Sequence, residues 1–108
     1  MKIVEVTDEH IKFDNDNKIT FQHERDCCEW NYADFSVINP NVINFDADFP
    51  EELEFKFVNG AGFLFGCEDI GWIFVPCYSD QNGYYSTEIE IWYNNKCVLS
   101  GLCEEVIY

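Results

Sequence analysis

The chain has 108 residues, with 21 acidic residues against 6 basic ones and a formal net charge of −15. This length is typical of one domain, and an apolar content of 47% with 18% aromatic residues argues against disorder. The negative charge disfavours bare nucleic acid and anionic membranes as partners, because both are bound through Lys and Arg. It favours a cationic partner such as a protein with a basic surface, although a high net charge also serves solubility alone.

The N-terminal residues and the cysteines predict a cytoplasmic protein. Acidic residues at positions 5, 8 and 9 stand where a secretory signal needs an apolar run. No apolar stretch approaches the ~20 residues of a transmembrane helix. We therefore expect the six cysteines to be thiols in a reducing compartment, several of them buried as small hydrophobic side chains.

Short alternating segments dominate the first half of the chain. Residues 3–6 form a candidate strand, and residues 10–14 and 18–24 alternate around the turn at 15–17, which predicts a β-hairpin. Residues 26–36 are either a strand or a loop. Residues 37–50 carry two prolines and three asparagines and are expected to be irregular.

The second half reads as further strands separated by turns. Leu53, Phe55 and Phe57 share one face of a strand, and Asn59-Gly60 predicts the turn that follows it. Further strand segments are predicted at 63–67, 72–78, 85–93 and 97–100, with a turn at 80–83 and a last strand or frayed tail at 102–108. The segment 72–78 is largely apolar, which favours a strand that is covered on both faces.

The predicted fold class is mainly β, an antiparallel meander that forms a roll, small barrel or sandwich. No window of helical length shows a convincing 3.6-residue period, so we expect at most one or two short helices, at 48–54 or 102–107. Turn signals recur throughout without a linker or repeat. Residues 1–108 are therefore predicted to be a single acidic β-rich domain.

The densest group of chemically versatile side chains lies in residues 23–29, with His23, Asp26, Cys27, Cys28 and Glu29. On an extended strand His23 and Cys27 would be roughly 13 Å apart, too far for two ligands of one zinc ion. A nucleophilic Cys–His pair would need a bend or a base from another strand, such as His10. We predict no metal and no cofactor, and we keep these five residues as a binding site hypothesis, beside the alternative that His23 is simply half-buried next to Ile19 and Phe21.

Acidic residues also fall into groups along the chain. The members between Asp46 and Glu54 are the densest, and Glu68-Asp69 and Glu104-Glu105 add pairs. If several of them share one face, the protein could imitate a phosphate array and occupy a nucleic-acid-binding cleft. Asp14-Asn15-Asp16-Asn17 begins like a calcium loop, but it lacks the glycine at the sixth position and the flanking helices.

Two motifs resemble those of a known family. Residues 23–29 follow an H-x-x-D-C-C-E pattern, and residues 82–86 read N-G-Y-Y-S before an alternating strand. With the aromatic segment near Trp72–Phe74, the stretch from about Ile19 to Tyr93 resembles a family of small proteins of unknown function from bacteriophages and bacterial genomes. The resemblance implies no activity, and it points to the same five residues of the 23–29 group.

These observations predict a non-enzymatic accessory protein that binds another protein with a basic surface, of phage or mobile-element origin, and that acts as a nucleic-acid mimic in one version. The alternative is an enzyme, metal or redox protein centred on residues 23–29. A third hypothesis is a structural domain that forms homo-oligomers, which an exposed Trp92 would favour.

Overall fold

A computed structural model describes residues 1–23, 30–38, 47–81 and 86–107. Within these ranges the chain forms ten strands and one short 3-10 helix, η1. The elements in chain order are β1 (Ile3–Val6), β2 (His10–Phe13), β3 (Lys18–Gln22), β4 (Trp30–Ala33), η1 (Phe35–Val37), β5 (Glu54–Val58), β6 (Gly62–Cys67), β7 (Gly71–Gln81), β8 (Glu88–Tyr93), β9 (Lys96–Leu102) and β10 (Glu104–Ile107).

The first sheet has the strand order β1-β2-β3-β8-β9, and every pair in it is antiparallel. The predicted hairpin is β2 and β3, closed by a tight turn in which Asp16 has φ of 70°. Asp tolerates this left-handed conformation better than most residues. The alternating segment predicted at 85–93 supplies β8, an inner strand that pairs with β3 on one side and β9 on the other.

The second sheet has the order β10-β7-β6-β5, and β4 also pairs with β7. The first part of β7 pairs with β6, while its last part lies between β4, which is antiparallel to it, and β10, which is parallel to it. The parallel pairing arises because the chain passes from β9 of the first sheet to β10 of the second with only Cys103 between them. The mainly β class with antiparallel sheets is confirmed, and the arrangement is consistent with a sandwich or roll.

The core lies between the inner faces of the two sheets. The hydrophobic side chains that are fully excluded from solvent among the described residues come from both sheets, and they are Ile11, Phe13, Ile19, Phe63, Phe65, Val75, Cys77, Ile89 and Ile91. They follow the two-residue period of their strands, which is why the alternation in the sequence located most of them.

Two glycines are needed for close packing. A Cβ atom on Gly62 would lie 2.1 Å from the backbone oxygen of Val75 on β7. A Cβ atom on Gly101 would lie 2.2 Å from the ring of Phe57, which packs on β9 where the two sheets meet. The backbone contact at Gly62 leaves no room for a side chain, whereas a side chain at position 101 would require the Phe57 ring to move, so glycine allows the close packing of β6 on β7 and of β5 on β9.

Three local expectations are wrong. No helix forms at 48–54 or 102–107: β5 begins at Glu54, and residues 104–107 instead pair with β7 as β10. Asp80 and Gln81, predicted as part of a turn at 80–83, instead extend β7, and the rest of that predicted turn lies outside the described residues. The strand at 72–78 is not covered on both faces, since 44% of Trp72 and 43% of Phe74 are exposed.

Candidate functional site

The outer face of the second sheet carries a set of aromatic side chains. Along β7 the residues from Val75 to Gln81 at odd positions are buried, so the even positions point outward. On the neighbouring strand β4, Tyr32 is opposite Tyr78 and Trp30 is opposite Asp80, so both aromatic residues share that outward face. We call Trp30, Tyr32, Trp72, Phe74 and Tyr78 the aromatic face.

The rings at one end of the aromatic face touch one another in a row. Trp30 and Tyr32 have ring centroids 6.4 Å apart and nearly parallel planes, and Tyr32 lies 5.8 Å from Tyr78. The imidazole of His23 meets the Trp30 ring edge-on at 5.6 Å. From Trp72 to Tyr78 the strand covers roughly 20 Å, so the face extends over much of the length of β7.

The exposure of these rings is unusual for large aromatic side chains. The exposed fractions are 42% for Trp30, 44% for Trp72 and 43% for Phe74. A fully covered aromatic residue buries 150–250 Å², so these three leave roughly 200–300 Å² of surface open. That total is at or below the roughly 300–600 Å² of the largest apolar patch of a typical monomer, which is often functional.

Carboxylates accompany the aromatic face. Asp80 lies directly opposite Trp30, and Glu54 shares the row of Trp72, with the glycine at position 66 between them. The turn that leads into β7 adds Glu68 and Asp69, both exposed. Among the described strands of this sheet, one basic residue lies on the same face, Lys56, which is opposite Leu64. Its surroundings are therefore aromatic and mainly anionic.

A cleft of about 270 Å³ adjoins the aromatic face where β4 ends. Its walls are the side chains of Phe21, Trp30, Tyr32 and Phe35 together with Ala33, and its carboxylates are Asp8 and Asp34. Phe21 and Phe35 are in ring contact at 5.9 Å, so β3 and η1 close the cleft on one side.

The two carboxylates of the cleft are held by local turns. Asp34 is the N-cap of η1, where its Oδ1 accepts a hydrogen bond of 3.1 Å from the backbone of Ser36. Asp8 lies in the turn between β1 and β2, and the Thr7 hydroxyl fixes this turn by accepting bonds of 3.2 Å from the backbone of Glu9 and His10. The cleft therefore combines aromatic walls with acidic groups from two separate turns.

A buried polar network lies beneath β4. The Asn31 amide donates hydrogen bonds of 3.0 Å to the carbonyl oxygens of Ser86 and Glu88, and its Oδ1 accepts one from the Ser79 hydroxyl. Gln81 Nε2 donates to the Ser79 hydroxyl oxygen at 2.6 Å. Asn31, Ser79 and Gln81 are at most 3% exposed, and the network joins β4 and β7 to the start of β8.

Of the five residues predicted as a site, the structure describes His23 alone. It is half-buried beside Trp30 and so adjoins the aromatic face. Asp26, Cys27, Cys28 and Glu29 lie outside the described residues, and the enzyme or metal hypothesis built on them stays a prediction. Among the residues that the structure describes, no three His, Cys, Asp or Glu side chains converge in a way that could hold a metal ion.

The four described cysteines are thiols. Cys77 and Cys103 are buried side by side, and a hydrogen bond between them, together with burial, raises the pKa of Cys77. Cys97 is exposed, and desolvation and the nearby Glu90 carboxylate raise its pKa. A raised pKa lowers the fraction of reactive thiolate, so neither Cys77 nor Cys97 resembles an activated nucleophile.

Trp92, which the oligomer hypothesis singled out, is half-buried on the outer face of the first sheet between Thr20 and Cys97. Its indole Nε1 is buried and makes no hydrogen bond with any of the described residues. On β2 and β3 of the same sheet, Lys12 is opposite Lys18 and His10 is opposite Thr20, so this part of the described surface carries basic residues.

Comparison with known proteins gives no relative: no family model, no curated protein and no solved structure matches this chain. In the described part of the chain no helix is long and apolar enough to cross a membrane. The assignment of function therefore depends on the geometry of the chain itself.

The sequence pattern did not identify the aromatic face. Residues 72–76 are apolar at every position, and residues 77–81 show no alternation of apolar with polar residues, so the sequence does not indicate which face of β7 is buried. The pairing of β7 with its neighbours places Trp72 and Phe74 on the face away from the core.

Proposed function

We propose that the protein is a non-enzymatic binding module that docks a protein with a basic surface on the aromatic face of its second sheet. The observation that carries this proposal is the exposure of Trp30, Trp72 and Phe74 on one face of a sheet. Tryptophan, tyrosine and phenylalanine are enriched in the buried centres of protein interfaces. An aromatic centre with a charged surround has the anatomy of such an interface.

The size of the aromatic face limits what it can do alone. Covering roughly 200–300 Å² at about 25 cal/mol per Å² contributes about 5–8 kcal/mol before the losses of association. Those losses are of the order of 4–15 kcal/mol. Apolar contact by itself therefore supports weak binding at most, and a stable complex needs a second favourable contribution.

Charge supplies that contribution for a basic partner. The chain carries a net charge of −15, and Asp80 and Glu54 lie in the same strand rows as residues of the aromatic face. Lysine and arginine side chains gain from nearby carboxylates and from contact with the faces of tryptophan and tyrosine rings. An acidic or nucleic-acid partner would meet repulsion at the same surface.

The test is an affinity capture from the lysate of the cell that makes the protein, with the wild type and the double variant Trp72→Ala/Phe74→Ala compared side by side. We expect the wild type to recover a basic protein at low salt, with nuclease present, and to lose it at high salt. The double variant should lose this protein at low salt as well.

The matched control is Val4→Ala, because Val4 is 56% exposed but lies on β1 of the first sheet. It should retain the partner, and urea unfolding should show that all variants are folded. Equal recovery by the wild type and the double variant, or a partner with an acidic surface, would contradict the proposal.

The proposal includes two more specific statements. The protein imitates nucleic acid when it binds its partner, and it originates from a phage or another mobile element. A mimic must occupy the nucleic-acid site of its partner, so the captured protein should be displaced by a short DNA or RNA duplex in direct competition. Simultaneous binding of the duplex and of this chain would reject the mimic version and leave the docking proposal intact.

A further inference from the structure

We propose that the cleft beside β4 binds one cationic side chain, a lysine or an arginine, of the docked partner. The inference rests on the proposed function and specifies where the basic surface of the partner is recognised. Four aromatic rings and two carboxylates around one concavity are the chemical setting in which an organic cation is held.

The volume of the cleft selects the occupant. At about 270 Å³ it lies just below the usual range of 300–1,000 Å³ for small-molecule sites. This space suits one long side chain or a small cation and excludes a large cofactor. Phe21 and Phe35 give the cleft an apolar interior that would cover a methylene stem, as lysine and arginine stems require.

The charges of the cleft determine the sign of the occupant. Asp8 and Asp34 come from turns that lie 26 positions apart in the chain and meet only because β4 lies next to the first sheet. Ser36 donates to Oδ1 of the Asp34 carboxylate through both its backbone N–H and its hydroxyl, and none of the described residues donates a hydrogen bond to Oδ2. The described residues that line the cleft include two carboxylates and no cationic side chain, and this charge favours a cationic ligand.

The aromatic walls supply the second attraction. Trp30, the ring with the largest quadrupole, is 42% exposed at the cleft, and Tyr32 lies beside it in nearly the same orientation. His23 meets the edge of the Trp30 ring and thereby helps to fix its orientation. A cation in the cleft can therefore contact a ring face and a carboxylate together.

The experiment titrates the ¹⁵N-labelled protein with N-acetyl-lysine methylamide, N-acetyl-arginine methylamide, the neutral analogue N-acetyl-norleucine methylamide and tetramethylammonium, and follows the backbone amide signals. We expect saturable shifts at residues 8 and 30–35 with lysine or arginine, and none with norleucine. Equal shifts with norleucine, or no saturable shift with either cationic side chain, would overturn the inference. Binding of tetramethylammonium without either side-chain probe would assign the cleft to a free small cation and also overturn it.

Variants locate the binding. Trp30→Ala should weaken it by about tenfold, and Trp30→Phe, which keeps an aromatic wall, by a smaller factor. Asp34→Asn keeps the oxygen that caps η1 and should weaken binding by about two- to fivefold, while the exposed turn residue Asp14 provides the control Asp14→Asn with no change. Unchanged affinity in both Trp30→Phe and Asp34→Asn would refute the assignment even if Trp30→Ala does not fold.

The capture experiment separates this inference from the proposed function. A partner recovered equally by the wild type and by Trp30→Phe/Asp34→Asn, but lost by Trp72→Ala/Phe74→Ala, would overturn the cleft inference and support the docking surface. Specific binding of the cationic probes with no dependence of any captured protein on Trp72 and Phe74 would support the cleft and overturn the proposed function.

Discussion

Replacing Asn31 by alanine should cost about 3–4 kcal/mol of unfolding free energy. The change removes two hydrogen bonds of 3.0 Å to the carbonyl oxygens of Ser86 and Glu88 and one from the Ser79 hydroxyl. Each bond contributes about 1 kcal/mol net, and the buried groups left without partners add to the loss. A small domain has roughly 5–15 kcal/mol in total, so the variant should still fold, with much reduced stability.

Urea unfolding followed by tryptophan fluorescence measures this loss. The control is Asn95→Ala, since Asn95 is an exposed turn residue, and its effect should stay within about 0.5 kcal/mol. The double variant Asn31→Ala/Ser79→Ala should lose about 1–2 kcal/mol less than the sum of its single variants, because one shared bond cannot be removed twice. A loss under 1 kcal/mol for Asn31→Ala, or strictly additive effects, would refute the network as described.

Asn31→Asp tests the same network through pH. This substitution keeps the shape of the side chain but places a carboxylate against two carbonyl oxygens, and burial there raises its pKa above the ordinary value of about 3.9. A group with a raised carboxyl pKa binds its proton more tightly in the folded state, so the variant is least impaired at low pH. Relative to the wild type, the free energy of unfolding of this variant should fall by up to about 1.4 kcal/mol per pH unit as the pH rises from 5 toward the pKa that the introduced carboxyl group has in the folded state. A difference independent of pH would show that position 31 is not buried among acceptors.

Two further predictions concern close packing and thiol chemistry. In urea unfolding, Gly62→Ala should destabilise the fold by about 3 kcal/mol and Gly101→Ala by about 1 kcal/mol. The two costs differ because the new Cβ atom at position 62 meets backbone, whereas the one at position 101 meets a ring that can move. A larger loss for Gly101→Ala than for Gly62→Ala would contradict the packing of β6 on β7. In native protein at pH 8, Cys97 should react with iodoacetamide faster than the buried Cys77, and Glu90→Gln should increase the Cys97 rate by lowering the pKa that the carboxylate raises. Mass spectrometry of the labelled peptides measures both rates, and no acceleration in Glu90→Gln would reject the assigned cause.

Local alternation made the strands predictable. The hairpin of β2 and β3 and the inner strand β8 each show apolar and polar residues with period two, and their buried residues, such as Ile19 and Ile91, lie where that period places them. The continuous apolar run at 72–78 carries no such phase. Such a run is compatible with burial on both faces, and the pairing of β7 with β4, β6 and β10 determines which face is buried.

The candidate site depends on contacts between distant parts of the chain, which no local pattern encodes. The cleft joins Asp8 in the first sheet to Asp34 after β4, and the aromatic face joins Trp30 to Tyr78 across a strand pair. Sequence reasoning gave weight to residues 23–29 because their side chains are chemically versatile. Of these, His23 adjoins the aromatic face, whereas Trp30 and Tyr32 belong to the segment 26–36, for which the sequence leaves strand and loop open.

Strand β4 connects the stability of the protein to its proposed recognition. Its residues alternate, so Asn31 points inward to the buried network while Trp30 and Tyr32 point outward to the cleft. The network holds the backbone between the two rings against β7 and the start of β8, and this fixes the position of the cleft walls without any contact between the network and a ligand. The conservative change Trp30→Phe should therefore affect mainly binding, whereas changes at Asn31 should affect both stability and binding. A variant that weakens recognition identifies a contact with the partner only if its unfolding free energy is unchanged.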